Sequence, residues 1–177
     1  MRPIKFKSGW LPAGVSIWHP ASIAATWFGV GLIPYTAGTW GSLAAIPFAW
    51  VVHSYAGPVG LLVGAAILSA IGVWASSYLV PRGSVRDPGY IVIDEVAGMF
   101  VTLAAAPLTI WGYALAFGLF RVADIVKPWP ANWCDQNIHG GLGVMIDDLV
   151  ASLYSCALTW IIVNYVVFDD VVPRFGF

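Results

Sequence analysis

Residues 31–80 read GLIPYTAGTWGSLAAIPFAWVVHSYAGPVGLLVGAAILSAIGVWASSYLV and contain no Asp, Glu, Lys or Arg. The uncharged run is longer still, because it extends from Ser8 to Pro81. Two further uncharged runs follow at 96–120 and 149–168. A helix needs about 20 apolar residues to cross the hydrocarbon core of a bilayer, and each run supplies them. The sequence therefore predicts an integral membrane protein.

The composition of the 177-residue chain supports the same class, since 59% of the residues are hydrophobic and only 10% are charged. A soluble domain usually carries about 25% charged residues. The net charge of −1, without a basic stripe, predicts no nucleic-acid partner. Cys134 and Cys156 have no metal-ligand spacing and are expected to be reduced packing residues. We expect an N-terminal interfacial segment at 1–22 and a single helical domain at 23–170.

Gly and Pro interrupt the apolar runs and set the predicted helix boundaries. The expected breaks are Gly57-Pro58, 81–89, Pro107 and 128–143. The expected helices span about 43–54, 58–80, 95–106, 109–126 and 148–168. Segment 22–37 is interpreted as a re-entrant or interfacial helix. The predicted fold is therefore an all-α membrane protein, a bundle of about four to five transmembrane or part-spanning helices plus this N-terminal helix.

Folding these helices as hairpins places every polar cluster on one face of the membrane. With the N-terminus there too, that face carries Arg2, Lys5, Lys7, Arg82, Arg86, Arg121 and Lys127. The opposite face carries Arg174 alone. The positive-inside rule then makes the polar face cytoplasmic. Helix 95–106 is critical, because ignoring the break at Pro107 would move the third polar cluster to the opposite face.

The first polar cluster is PYTAGTWGS, residues 34–42. Its glycines allow close approach of the backbone, and Thr39 and Ser42 are suited to capping the helix that follows. Free N–H groups at a helix N-terminus also bind phosphate. On this evidence, a tight turn with an N-cap and a phosphate-binding segment both stay open.

The second cluster is Asp94-Glu95, immediately before an apolar helix. Capping would explain either carboxylate alone, because the helix dipole favours negative charge at an N-terminus. Two adjacent carboxylates facing a bilayer favour a functional site, because charges near membrane depth are costly and usually mark one.

The third cluster is RVADIVKPWP, residues 121–130. Arg121 and Asp124 are three residues apart and share a helical face, where a structural salt bridge would explain both. Lys127 would then simply extend to the interface. In a functional site, Arg121 and Lys127 would hold a phosphate and Asp124 would ligate a metal. Spacing alone does not separate these interpretations.

The fourth cluster is GGLGVMIDD, residues 140–148. It is interpreted as a Gly-rich loop that leads into paired aspartates at the start of the final helix. A cap needs one carboxylate, so the pair Asp147-Asp148 leaves one unexplained in an apolar setting.

Together the clusters place five carboxylates and two cations on one face: Asp94, Glu95, Asp124, Asp147, Asp148, Arg121 and Lys127. Clustered carboxylates repel one another unless they are protonated or bridged by a cation. Mg²⁺ accepts one or two carboxylates and completes its shell with water and phosphate oxygens. This inventory suits magnesium-dependent phosphoryl chemistry on a lipid headgroup.

The four clusters, in this order, resemble the phosphatidylglycerophosphatase A family. The matching segments are GLIPYTAGTWGSLAAIPFAW (31–50), IVIDEVAGMFVTL (91–103), FRVADIVKPWP (120–130) and GGLGVMIDDLVAS (140–152). The resemblance covers about residues 28–155. Ala123 stands where the family often has Phe, and Ala151-Ser152 where it often has Ala-Gly. Neither change removes a charged group.

The resemblance implies a Mg²⁺-dependent phosphatase of the bacterial inner membrane. It would convert phosphatidylglycerophosphate to phosphatidylglycerol and inorganic phosphate. Its metal ligands would come from Asp94, Glu95, Asp124, Asp147 and Asp148. Arg121 and Lys127 would neutralise the phosphate, and Thr39 and Ser42 would cradle it. A spare carboxylate would act as general base, and whether Asp148 attacks phosphorus directly stays open.

Other phosphatase chemistries lack their motifs: no Cys is followed by five residues and Arg, and no DxD is present. His19, His53 and His139 lack the spacing of the Arg/His lipid phosphatases. The alternatives are a phosphatase for another lipid phosphate and a small non-enzymatic transporter or cation-binding protein. The absence of an inverted repeat and the one-sided polar clusters weigh against the transporter. Oligomeric state is not readable from these residues.

Overall fold

The computed structural model describes residues 11–12, 14–80 and 88–166. Within these ranges every regular element is helical, which confirms the all-α fold. The helices are α1 (Pro20–Ala25), α2 (Ala37–Leu79), α3 (Ile93–Leu103), α4 (Ile110–Val126), α5 (Ala131–Asn137) and α6 (Gly140–Ile161). A 3₁₀ turn at Val30–Leu32 precedes α2, and a π turn at Ile162–Val166 follows α6. Half of the predicted interfacial segment 1–22, namely residues 1–10 and 13, lies outside the described residues.

Gly57 divides α2 into two arms that form a hairpin. It adopts φ 62° and ψ −164°, outside the helical region, and Pro58 follows it. Gly41 on the first arm and Gly72 on the second both lie against the first residues of α3. The two arms therefore begin and end at the same end of α3, and the predicted break at Gly57-Pro58 is confirmed.

α3 is the central helix of the bundle. Nine of its eleven residues are buried, and it packs against α2, α4 and α6. Its apolar face joins Met99, Phe100 and Leu103 to Phe120 of α4 in one core cluster. Burying aromatic and aliphatic side chains on every side explains why this short helix needs no strong caps of its own.

One end of the bundle gathers the polar residues, and we call it the polar end. Arg121 of α4 donates to Ser42 of α2 across 3.3 Å. Oxygen atoms of Asp94 on α3 and Asp148 on α6 lie within 4.8 Å of each other. The four polar clusters therefore meet at one end, as the hairpin topology predicts, and the break at Pro107 is real because α3 ends at Leu103.

Several predicted boundaries are wrong. α2 begins at Ala37 instead of residue 43, α6 begins at Gly140 instead of residue 148, and α5 lies inside the predicted break 128–143. For α2 and α6 the reason is that glycines, which are typical of helix breaks, lie inside these helices. In the structure, Gly41 and Gly141 lie within helices at close contacts with Val92 and with the backbone of Val73.

Segment 22–37 is also different from the single re-entrant or interfacial helix predicted there. It contains the end of α1, the 3₁₀ turn and the start of α2. Between α1 and the 3₁₀ turn, Trp27, Phe28 and Gly29 all have positive φ, which ends the helical path.

Two helical segments are long and apolar enough to cross a membrane, judged by length and composition. They are Ala37–Leu79, which is the hairpin described above, and Gly140–Tyr165. Together with the family described below, they indicate a membrane protein. The finer count of four to five spans stays a prediction.

Candidate active site

Three carboxylates form what we call the acidic cluster. Asp94 and Glu95 lie in the first turn of α3, and Asp148 comes from α6. Each offers an oxygen, and these oxygens lie within 4.8 Å of one another. Asp94 is 2% exposed and Asp148 is 4% exposed, while Glu95 Oε2 is buried without a hydrogen-bond partner. Because three carboxylates this close repel one another, the geometry fits a hard cation.

Gly38 makes room for the acidic cluster at the start of α2. A Cβ at this position would collide with Glu95 Oε1 and would lie 3.3 Å from Arg121 Nη1. Any side chain here would displace the carboxylate, so the close backbone approach expected of the first polar cluster is confirmed at this residue.

Arg121 lies beside the acidic cluster. Its Nη1 donates to Asp124 Oδ2 at 2.7 Å, which confirms the salt bridge expected from their spacing, and to Ser42 Oγ at 3.3 Å. Its Nε is buried and has no hydrogen-bond partner. Burying a charged donor without a partner is costly, and guanidinium groups are matched to phosphate oxygens. The arrangement therefore suits an anion that accepts from Nε.

A second charged group, which we call the lysine group, is built on Lys127 at the end of α4. Its Nζ donates to Asp147 Oδ2 and, at 2.9 Å, to Asp135 Oδ1. Burial favours the neutral amine, but the hydrogen bond and the charge of Asp147 outweigh it and raise the pKa of Lys127. Lys127 therefore stays charged, and its single positive charge is shared between the two aspartates that accept from it.

Asp135 is the one member of the lysine group that sequence reasoning missed. It lies on α5, in the segment interpreted as a break, and it is exposed. The available signal was the run ANWCDQN, which is long enough for two helical turns between Pro130 and Gly140. A helix there brings an acid back towards Lys127.

Asp147 and Asp148 do not lie at the start of α6, so the interpretation of 140–143 as a Gly-rich loop is wrong. Residues 140–143 form the first turn of α6, and the two aspartates lie about two turns into the helix. Gly141 and Gly143 serve close packing, because added side chains would collide with the backbone of Val73 and of Ile138 respectively.

Of the two interpretations open for Thr39 and Ser42, the structure contradicts the capping role. α2 begins at Ala37 with Thr36 at the N-cap, so both residues lie inside the helix. Ser42 Oγ instead donates to Gly38 O at 2.9 Å and accepts from Arg121. Thr39 is half-buried one turn before Ser42. Both residues remain at the polar end, where Ser42 orients Arg121, the residue proposed to bind the phosphate.

Asp124 connects Arg121 with the acidic cluster. Its carboxylate pairs with Arg121 and lies within hydrogen-bonding reach of Asp148. The structure thus brings seven predicted site residues together in two adjoining groups. The acidic cluster adjoins Arg121 and Asp124, whereas Lys127 and Asp147 pair with each other.

Among the described residues, no histidine or cysteine takes part in the ion pairs of Arg121 and Lys127. His53 is buried and shares a 2.9 Å hydrogen bond with the Tyr113 hydroxyl. His19 caps α1, and His139 is exposed at the N-cap of α6. Both cysteines are free thiols.

The family model for phosphatidylglycerophosphatase A matches residues 23–163. The chain belongs to the phosphatidylglycerophosphatase A family. That family is named for a phosphatase, a phosphoric monoester hydrolase, so the family resemblance and the enzyme class predicted from the four clusters are confirmed. No solved structure matches the chain.

Two curated members of the phosphatidylglycerophosphatase A family are similar over most of their length. The Escherichia coli (strain K12) protein is 40% identical over 153 residues, which cover 82% of this chain and 83% of the relative. The Haemophilus influenzae protein is 37% identical over 149 residues, 84% of this chain and 91% of the relative. A Bacteroides thetaiotaomicron protein, provisionally named a phosphatidylinositol-3-phosphatase, is 36% identical over 144 residues, 77% of this chain and 89% of the relative.

Proposed function

We propose that this chain is a Mg²⁺-dependent phosphatase that converts phosphatidylglycerophosphate to phosphatidylglycerol and inorganic phosphate, a step of phospholipid biosynthesis. The observation that carries the proposal is the acidic cluster beside Arg121, where Glu95 Oε2 and Arg121 Nε are both buried and unpartnered. A cation and an anion bound side by side would satisfy both atoms. The names of the first two relatives supply the particular lipid.

Asp94, Glu95 and Asp148 are the residues that would hold Mg²⁺. They offer three hard oxygen ligands from two helices whose positions are set by the bundle core. When bound, the metal would supply Lewis-acid polarisation of the phosphoryl oxygens. Asp124 and Asp147, the other two proposed ligands, adjoin Asp148 in space and in sequence respectively.

Arg121 would bind the phosphate and stabilise the transition state. In phosphoryl transfer, negative charge spreads over the equatorial oxygens, so a pre-oriented cation lowers the barrier. Asp124 and Ser42 hold Arg121 Nη1, which leaves Nε for the phosphate. Lys127 is the second cation that the sequence predicts for the phosphate. Because its Nζ donates to Asp135 and Asp147, we propose that it mainly positions Asp147 and that Arg121 makes the main phosphate contact.

The hydrolysis itself needs a base and a leaving group. The oxygen of water attacks phosphorus, the phosphorus–oxygen bond to the glycerol breaks, and the glycerol oxygen takes up a proton. One of the five predicted carboxylates that does not hold the metal would take the proton of the attacking water. The five are Asp94, Glu95, Asp124, Asp147 and Asp148. An Asp→Asn series that keeps metal binding but loses turnover identifies that base.

The proposed location is the bacterial inner membrane, with several membrane-crossing helices and the polar end on the cytoplasmic side. In the predicted topology, Lys and Arg are in excess on the membrane face that carries the polar clusters, which supports this orientation. Exposed aromatic residues occur at both ends of the bundle: Tyr35, Trp40 and Trp129 at the polar end, Tyr55 and Trp111 at the other. Aromatic residues are enriched at the two membrane interfaces, which this distribution matches.

The deciding experiment measures phosphate release by the detergent-purified protein from phosphatidylglycerophosphate, with Mg²⁺ and then with excess chelator. We expect release that depends on Mg²⁺ and that returns when Mg²⁺ is restored. The folded state is checked by a single symmetric gel-filtration peak under both conditions. Absence of release from any lipid phosphate by folded protein would overturn the proposal and favour a non-enzymatic membrane protein.

A second candidate substrate follows from the Bacteroides relative, whose name specifies a phosphoinositide. The same assay with phosphatidylinositol 3-phosphate distinguishes the two lipids. We expect kcat/KM to favour phosphatidylglycerophosphate, because the two relatives with higher identity carry that name. The reverse order would move the proposal to the other lipid phosphate without changing the reaction class.

A further inference from the structure

An apolar groove opens between the first arm of α2 and α4. We call it the α2–α4 groove. It has a volume of about 340 Å³, within the range of ligand pockets. The Tyr113 hydroxyl at its wall is already hydrogen-bonded to His53, so the groove has little to offer a polar ligand. Its principal lining residues are Leu43, Ile46, Trp50, Tyr113, Ala114 and Phe117.

The groove begins at the proposed phosphate site. Ser42 and Arg121 are hydrogen-bonded across the two helices at the polar end. Ile46 follows Ser42 by four residues and Phe117 precedes Arg121 by four, so each lies on the same helix face as its polar neighbour. The two helix faces that meet in the Ser42–Arg121 contact therefore continue as the walls of the groove.

The direction of the groove matches that of a membrane lipid. Both walls span seven residue steps, Leu43 to Trp50 and Phe117 to Ile110, or about 10 Å of helix. They run away from the polar end and towards the far end of the bundle. A lipid whose headgroup lies at the polar end points its acyl chains the same way.

We infer that the α2–α4 groove binds an acyl chain of the lipid phosphate whose phosphate lies at Arg121, an inference that rests on the proposed function. The alternative surroundings of the chain are lipid and not water, so the groove would hold the chain by dispersion contacts with its fixed wall. The groove thereby aligns the headgroup with the acidic cluster. It also gives the site a preference for phosphate esters that carry a long acyl chain.

A second groove provides the contrast. It is larger, about 590 Å³, and is lined by Pro58 and Leu62 of α2 and by Leu153, Ala157 and Trp160 of α6, among others. Leu153 to Trp160 lie between 5 and 12 residues beyond Asp148, or roughly 8–18 Å along α6. No wall of this groove continues the faces of Ser42 and Arg121. We therefore expect no contribution from it to substrate binding.

Matched substitutions test the inference. Ala114 and Ala157 are both exposed alanines, one in each groove. A114W should raise the KM for long-chain phosphatidylglycerophosphate about fivefold with unchanged kcat, because the indole would displace the chain from the groove wall and remove on the order of ten carbon–carbon dispersion contacts. For the dihexanoyl form, whose chains are short, A114W should leave KM unchanged. A157W should leave both values unchanged.

Two outcomes of the kinetic test overturn the inference. One is a long-chain to short-chain KM ratio in A114W equal to that of the wild type. The other is a change in A157W as large as that in A114W, which would show a general effect of bulk on the helices. A circular dichroism melt of each variant excludes unfolding as the cause.

Photolabelling tests occupancy without turnover. The probe is phosphatidylglycerophosphate with a diazirine near the end of one acyl chain. We expect adducts in 43–50 and 110–117 that are lost in A114W. Equal labelling of 58–62 and 153–161 overturns the inference. Labelling of the groove without phosphate release would overturn the proposed function alone, and release with labelling elsewhere would overturn the groove alone.

Discussion

Asp147 and Asp148 are adjacent in the chain, yet one belongs to a group that contains a cation and the other to a group of carboxylates alone. Asp147 pairs with Lys127, which also binds Asp135, so its charge is countered within the protein. Asp148 lies against Asp94 and Glu95, and the nearby cation Arg121 is already paired with Asp124. Successive residues on a helix point about 100° apart, which places neighbours in different surroundings. The lysine group contains its own cation, whereas the acidic cluster is the proposed binding site of a cation.

The largest expected effect on activity comes from removing the charge of Asp148, whereas removing that of Asp147 should have little effect. Asp148→Asn removes one anionic oxygen from the proposed metal site, and we expect a fall of about 10³-fold in kcat, as for other groups that stabilise transition-state charge. The Mg²⁺ concentration for half-maximal activity should rise as well. Phosphate release is measured across a Mg²⁺ titration.

Asp147→Asn is the matched control for Asp148→Asn. It should lower kcat by less than about tenfold, because its partner Lys127 keeps Asp135. Equal losses in the two variants would contradict the division into two groups.

The next effect compares the two cations. Arg121→Lys keeps the charge but loses the planar donor set, in which Nη1 donates to Asp124 and Ser42 while Nε is left for the proposed phosphate. We expect kcat/KM to fall by about 10²-fold. Lys127→Arg should have a smaller effect, since either cation can bridge the two aspartates. The opposite order would assign the main phosphate contact to Lys127.

A glycine pair sharpens the same comparison without touching a charge. Gly38→Ala would push Glu95 out of position, and we expect a loss of about 10- to 100-fold in kcat. Gly118→Ala on α4 is the control, because a Cβ there meets nothing within 4 Å. It should keep activity and stabilise the helix by about 0.5–1 kcal/mol. Both are followed by activity and thermal melts, and full activity in Gly38→Ala would disprove the close packing.

The smallest effect on activity is expected from Lys127→Met. This change leaves the buried Asp147 without its cation and should lower the unfolding free energy by about 1–3 kcal/mol, with less than tenfold loss of kcat. The double variant Lys127→Met/Asp147→Leu should recover most of that stability, because both polar partners are gone. Thermal melts and phosphate release are measured on all three proteins. A loss of activity as large as that of Arg121→Lys would instead support a direct phosphate contact.

The order of helices and the location of the polar clusters at one end were predictable from the sequence. Long uncharged runs specify helices, and breaks such as Gly57-Pro58 and Pro107 specify where the chain reverses. Once the number of reversals is known, the end at which each cluster lies is determined. The helix starts were not predictable, because Gly41 and Gly141 read as breakers until their packing partners are known.

The meeting of the predicted charged residues at one end of the bundle was predictable, but most of the contacts among them were not. Its charged residues stand out because so few charges occur in the chain. Which carboxylate faces which cation depends on helix rotation, and rotation is set by the packing of α3 and α6 around the core. For the same reason the sequence placed Asp147 with Asp148 and omitted Asp135, which only the fold of α5 brings to Lys127.

The amino-acid sequence alone thus establishes a helical membrane protein of the phosphatidylglycerophosphatase A family with its charges at one end, because hydropathy and motif order are local properties of the chain. The three-dimensional packing establishes the rest. It puts Glu95 against Gly38, leaves Glu95 Oε2 and Arg121 Nε unpartnered, and opens the α2–α4 groove below them. Such features depend on distances between helices, which no single segment of sequence contains.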